Sequence, residues 1–105
     1  MTDERKWVKA RIRWLTKEEG GRQHQILPGT RYGPLIFFKD YVYPRGETWS
    51  SDIYTEKIDE NNESVIRLSF LVEWAPFELM TVGREFGLYE GAQLVAEGVI
   101  LEEDV

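Results

Sequence analysis

Few side chains in this chain are of kinds that do chemistry, and their settings point to surfaces rather than to a reaction centre. His24 is the sole histidine, and a general base needs a positioned partner that its neighbours do not supply. Ser50, Ser51, Ser64 and Ser69 lack the strand–turn–helix setting of a nucleophile elbow and read as turn and strand-surface residues. Carboxylates cluster at Asp59-Glu60, Glu63 and Glu102-Glu103-Asp104. Hard cations bind such oxygens, yet none of these groups has calcium-loop spacing, so they read as a solvated turn and a solvated tail. Asn62-Glu63-Ser64 fits the glycosylation triplet, but with no secretory signal it reads as a chance match. No glycine-rich loop ends in Lys-Ser or Lys-Thr to wrap phosphates, which excludes GTPase chemistry. The expectation is a non-enzyme with no cofactor, no metal and no bound nucleotide.

Two sets of residues have the composition of a binding surface. The run Phe37-Phe38-Lys39-Asp40-Tyr41-Val42-Tyr43, with Trp49 and Tyr54 downstream, mixes aromatic rings with cations. Such rings stack on bases and also make protein hot spots. Alternate members of the run fill a core, and the set facing outward makes Lys39, Tyr41, Trp49 and Tyr54 the candidates for a protein partner. The second set is basic: Lys9, Arg11, Arg13, Arg22 and Arg31, the cations an RNA-binding module would use.

Composition limits both readings. The chain has 105 residues, 42% hydrophobic and 30% charged, enough apolar content for one domain with its own core. It has no cysteine, which excludes disulfides and thiolate metal sites. No apolar run approaches the roughly 18 residues of a membrane helix. The polar start, Met1 to Lys6, has no signal-peptide core, so a soluble, cytoplasmic protein is expected. A net charge of −6 disfavours non-specific nucleic-acid binding. Residues 1–47 carry ten Lys and Arg against six Asp and Glu, whereas residues 48–105 carry three against thirteen. That asymmetry implies a basic face and an acidic face.

The elements that must position these residues are strands. Val8, Ala10, Ile12 and Trp14 alternate with Lys9, Arg11 and Arg13, giving a strand with one buried and one wet face. Gly20-Gly21 supplies a turn. Leu35 to Phe38 begins a buried strand that extends to Tyr43, and Trp49 to Ile58 is β-rich. Asp59 to Glu63 is a turn. Ile66, Leu68, Phe70, Val72 and Trp74 form the longest alternation, ended by Pro76. Phe77 to Val82 reads weakly as strand. Phe86 to Tyr89 and Leu94 to Leu101 form a hairpin around Glu90-Gly91-Ala92-Gln93. Gly87 and Gly98 inside strands mark sharp bends or close backbone approach. No amphipathic helix appears, so the fold is all-β.

The segment Ala10-Arg11-Ile12-Arg13-Trp14-Leu15-Thr16-Lys17-Glu18-Glu19-Gly20-Gly21-Arg22 resembles the opening of the C-terminal, third domain of elongation factor Tu. Phe86 to Ile100 resembles that domain's closing hairpin. Arg31-Tyr32-Gly33-Pro34-Leu35-Ile36-Phe37-Phe38 is similar to the family's Gly-Tyr-Arg-Pro-Gln and following aromatic strand, with Gly and Arg exchanged and Leu35 in place of Gln. Ser64 to Pro76 is similar to its long strand ending at a proline. The resemblance runs from about Val8 to about Leu101 and implies a small closed antiparallel, Greek-key barrel of about six strands. Residues 1–105 are then one domain with flexible ends at 1–6 and 102–105. In the family this domain touches the tRNA T-stem, packs on the GTPase domain and contacts the exchange factor. Arg22 retains the arginine after Gly-Gly. The histidine that usually follows is Gln23 here, Leu35 replaces the glutamine, Ala75 stands where lysine often precedes the proline, and Gln93 replaces the turn arginine. Most tRNA contacts are thereby lost. The leading expectation is a non-catalytic protein-binding module working by mimicry or competition, of a regulatory or immunity type. The alternative is a translation-associated tRNA-binding module.

Overall fold

The computed structural model describes residues 4–22 and 26–104. Gln23 and His24 lie outside the described residues. Seven strands form one sheet: β1 (Val8–Trp14), β2 (Arg31–Tyr32), β3 (Leu35–Phe38), β4 (Ser51–Ile58), β5 (Glu63–Phe70), β6 (Glu85–Glu90) and β7 (Gln93–Glu103). Their order across the sheet is β2-β4-β5-β1-β7-β6-β3, with every neighbouring pair antiparallel. Among the described residues no helix is long and apolar enough to cross a membrane.

Strand β1 is central. Its inward residues Val8, Ala10, Ile12 and Trp14 are all buried, as the alternation requires. Burying each larger one is worth about 1.5–3 kcal/mol. The same face of the sheet supplies Ile53 from β4, Ile66, Leu68 and Phe70 from β5, Phe86 and Leu88 from β6, and Ile100 from β7. Phe38 meets Phe70 and Phe86 edge-on at 6.3 and 6.4 Å, so the two ends of the sheet share one core. Register shifts fall between Lys9 and Ala10, Thr55 and Lys57, and Leu88 and Tyr89. Such bulges add twist and curl the sheet.

The curled sheet is an open half-barrel of seven strands, not the closed barrel of about six that the sequence resemblance implies. Its edges are β2, with only two residues, and β3, with four. Gly33-Pro34 separates them along the chain, and Pro34 has no N–H to donate to a ladder. One bridge, Leu35 to Ser50, ties β3 to the chain entering β4.

Other boundaries also move. β3 stops at Phe38, where a turn at Lys39-Asp40 replaces the expected run to Tyr43. β5 stops at Phe70, so Val72 and Trp74 leave the alternation. Phe77–Leu79 is a 3-10 turn, not strand, opened by Pro76, whose fixed φ suits a turn start. At the ends, Glu103 and Glu102 pair with Val8 and Lys9, and Arg5 donates to the carbonyls of Phe70 and Leu71. The serines also differ from expectation. Ser51, Ser64 and Ser69 are buried: Ser51 donates to the Pro34 carbonyl, Ser69 to the Lys6 carbonyl, and Ser64 accepts from the Trp14 indole.

Gly98 is where β1, β6 and β7 press together. A Cβ there would lie 2.5 Å from Ile12 Cγ2, 2.7 Å from the Arg11 carbonyl oxygen and 2.8 Å from Phe86 Cζ. At Gly87 the nearest atoms, 3.0 Å away, are the mobile ends of Leu94 and Tyr89. Gly98→Ala is therefore expected to cost about 2–3 kcal/mol in urea unfolding, and Gly87→Ala about 1 kcal/mol or less. Equal losses at both positions would mean that the backbone at Gly98 yields easily.

Candidate functional site

Among the described residues, no group of three or more His, Asp or Glu side chains is placed to hold a metal. Interest therefore falls on three surfaces: the outer face of the sheet, the junction of the opening and closing segments, and one end of the half-barrel.

The outer face carries most of the basic set. Register places Arg31, Tyr54, Arg67 and Lys9 in one cross-strand row from β2 through β4 and β5 to β1. The Arg31 guanidinium lies 5.9 Å from the Tyr54 ring centre, and Arg5 and Arg67 each lie 5.0 Å from that of Trp7. Beneath them sits Asp52, whose side chain is 1% exposed. Arg31 grips it with two hydrogen bonds of 2.7 and 2.8 Å, and Arg5 adds a third at 3.0 Å. Hydrogen bonding to Asp52, reinforced by its charge, raises the Arg31 pKa above its ordinary value. Lys9 pairs with Glu102 at 4.0 Å and Arg13 with Glu19 at 2.9 Å. Arg11 lines an open groove of about 550 Å³ whose walls include Glu56, Asp59 and Glu63. The expected separation into basic and acidic faces does not occur here. β1 lies between two strands of the acidic half, so cations and carboxylates interleave.

The turn after β1 is built by Thr16 and Glu19. The Thr16 N–H donates to Glu19 Oε1 at 3.0 Å, and the Glu19 N–H donates to Thr16 Oγ1 at 3.2 Å, the reciprocal pattern of a capping box. Gly20 follows at φ 91°, where glycine carries no penalty. The closing hairpin docks here: the Gln93 amide donates to the carbonyls of Gly20 and Gly21, each at 2.8 Å. Arg22 pairs with Glu90, which also accepts from the Tyr32 hydroxyl, and lies over the Tyr32 ring. Burial pushes the Tyr32 phenol up to about 12. The two segments that carry the family resemblance thus meet in space. Arg22 serves that joint, apart from the other cations of the basic set.

The end of the half-barrel is formed by residues 39–50 and 71–79. Trp49 packs edge-on against Phe70 at 6.3 Å, and Phe77 does so at 5.3 Å. The Tyr43 hydroxyl donates to the Ile36 carbonyl at 2.9 Å, and burial raises its pKa. Leu71 N–H to Ser50 C=O, at 3.0 Å, holds the two loops together. Between the loops lies a cleft of about 290 Å³ lined by Tyr41, Tyr43, Pro44, Glu47, Trp49, Trp74, Ala75, Pro76 and Glu78. Trp74 is 76% exposed, Val42 90% and Tyr41 39%.

The four protein-binding candidates therefore separate. Tyr41 and Trp49 share the cleft. Lys39 faces Glu97 and Glu85 at 3.5 and 4.0 Å, and Tyr54 belongs to the outer row beside Trp7. Sequence reasoning missed Trp74, which strict alternation had assigned inward. The signal was Pro76 two residues on, which cannot join a central ladder and forces the chain out of it.

Two outcomes test this electrostatic reading. Asp52→Ala should cost about 3 kcal/mol in chemical denaturation, because it removes the buried acceptor shared by two guanidinium groups. Arg31→Met should also lower the unfolding midpoint, because it strips two of the three hydrogen bonds from a carboxylate that is 1% exposed and leaves only Arg5 beside it. Glu19 is held down to about 2, mainly by its hydrogen bond from Arg13 and then by the Thr16 N–H. A depressed carboxylate stabilises the fold above its ordinary pKa and stops doing so as pH falls from about 4.5 to about 2. A carbon-detected NMR titration of Glu19 should show a midpoint near 2 that rises in Arg13→Gln; a midpoint near 4.5 in both proteins would refute the turn's electrostatics.

No family model matches the chain.

Proposed function

We propose that this chain is a non-catalytic protein-binding module that resembles the third domain of elongation factor Tu. It works by occupying a surface that otherwise receives that domain, or by engaging a factor that targets it. The observation that carries the reading is the aromatic end of the half-barrel, where Trp74, Val42 and Tyr41 leave large apolar surface in water. Tyr41 and Trp74 line one cleft, and Trp and Tyr in that position are the residue types that dominate protein interfaces.

The tRNA-binding alternative draws on Lys9, Arg11, Arg13, Arg22 and Arg31. Four of these five already pair with a carboxylate: Glu102, Glu19, Glu90 and Asp52. A phosphate would have to displace an intramolecular anion at each, and the net charge of −6 opposes its approach. Protein binding is therefore the function this arrangement favours.

The test is capture from the native lysate with and without RNase, using wild type, Trp74→Ala and Tyr41→Ala. One protein should be retained after RNase treatment and reduced at least about tenfold by Trp74→Ala, in the range of an interface hot spot. Recovery of tRNA that weakens steeply between about 50 and 200 mM salt would replace this reading with the RNA one.

A further inference from the structure

We infer that the aromatic cleft receives a single cationic side chain, lysine or arginine, from the partner protein. The inference rests on the protein-binding reading and specifies the chemistry of its partner. Two indoles, Trp49 and Trp74, and two phenols, Tyr41 and Tyr43, line the cleft. Aromatic faces carry partial negative charge and attract a cation placed over them. Glu47 and Glu78, both solvent-exposed, add two carboxylates to the same lining, and no Lys or Arg is among the described residues that line it. Arg45 follows Pro44 on the adjoining turn but does not line the cleft.

This charge balance is unusual on this molecule. On the outer face and at the Arg22 joint, rings and carboxylates are already matched by the protein's own cations: Tyr54 by Arg31, Trp7 by Arg5 and Arg67, and Tyr32 by Arg22. The cleft repeats that ring-and-carboxylate pattern with the cationic position left to another molecule. Size points the same way. At about 290 Å³ it lies at or below the roughly 300–1,000 Å³ of small-molecule sites, and so suits one long side chain. Two of the walls are preset, since Trp49 is packed on Phe70 and the Tyr43 hydroxyl is tied to Ile36. Those two side chains need no further ordering on binding.

The test uses three capped tripeptides, Gly-Arg-Gly, Gly-Lys-Gly and Gly-citrulline-Gly, titrated into protein whose four indole N–H resonances are followed by NMR. Citrulline keeps the shape of arginine without its charge. The arginine or lysine peptide should shift the Trp74 and Trp49 signals saturably, and leave that of Trp14 in the core and that of Trp7 on the outer face in place. The citrulline peptide should bind about tenfold more weakly, as should the cationic peptide to a Glu47→Gln/Glu78→Gln protein or to Trp74→Ala. All substituted side chains are exposed, so a circular dichroism spectrum matching wild type confirms that the fold is kept.

Equal binding of the citrulline peptide, or shifts confined to Trp7, would overturn the assignment. Partner capture separates this failure from that of the broader reading. If Trp74→Ala abolishes capture while Glu47→Gln/Glu78→Gln captures normally, the cation is wrong and protein binding at this end stands. If neither variant alters capture and no peptide binds, both fall.

Discussion

The fold depends on the place of β1. An early strand is hydrogen-bonded on both edges by strands from the second half of the chain, β5 and β7. It cannot be assembled until those strands are made, and neither hairpin of the second half has a complete inner face without it. Gly98 is the condition for this insertion. Only a residue without Cβ lets β7 approach the Arg11 carbonyl while Ile12 and Phe86 fill the space on its inner side. The curl of the sheet follows from this close approach and from the bulges around it.

The same placement governs the electrostatics. Basic β1 lies beside acidic β7, and Arg31 on the edge strand reaches Asp52 on β4. Opposite charges far apart in sequence become neighbours, so most of the named cations of the basic half are paired while the molecule keeps a net charge of −6. Most of these pairs are exposed and contribute little to stability. Asp52 is different, because its carboxylate is buried and Arg5 and Arg31 share it. It joins the N-terminal segment, the β2 edge and β4 at one point. The arrangement stabilises the open edge of the half-barrel at the expense of a basic surface, and that tips the functional reading toward a protein partner.

The aromatic end results from where two strands stop. Had β3 run to Tyr43 and β5 to Trp74, their rings would have alternated between core and solvent along ladders. Instead both strands end near Phe38 and Phe70, which meet in the core, and the following residues turn outward as loops. One layer of rings, Phe70, Phe77 and Trp49, serves as floor, and a second, Tyr41 and Trp74, is left at the rim. At the rim, Tyr41 packs edge-on against Tyr43 at 5.7 Å.

Much of this was legible in the residues. Alternation located β1, the inward side of β5 and the closing hairpin, because a half-buried strand must place its apolar side chains at every second position. Gly98 announced a close approach, because a glycine within a strand otherwise weakens it. The turn after β1 and the closing hairpin meet through Gln93 and Arg22. Three matters were settled only in three dimensions. Whether the sheet closes depends on how far β3 pairs with the chain entering β4, and there one bridge, Leu35 to Ser50, forms. Which cations face solvent unaccompanied depends on carboxylates some 20 to 90 residues distant in sequence. Whether Trp74 is core or surface depends on where β5 loses its partner, and periodicity, being a local property, carries no record of that. The sequence determined which side chains share a face; the tertiary structure decided what stands opposite them, because strand pairing joins residues that the chain keeps far apart.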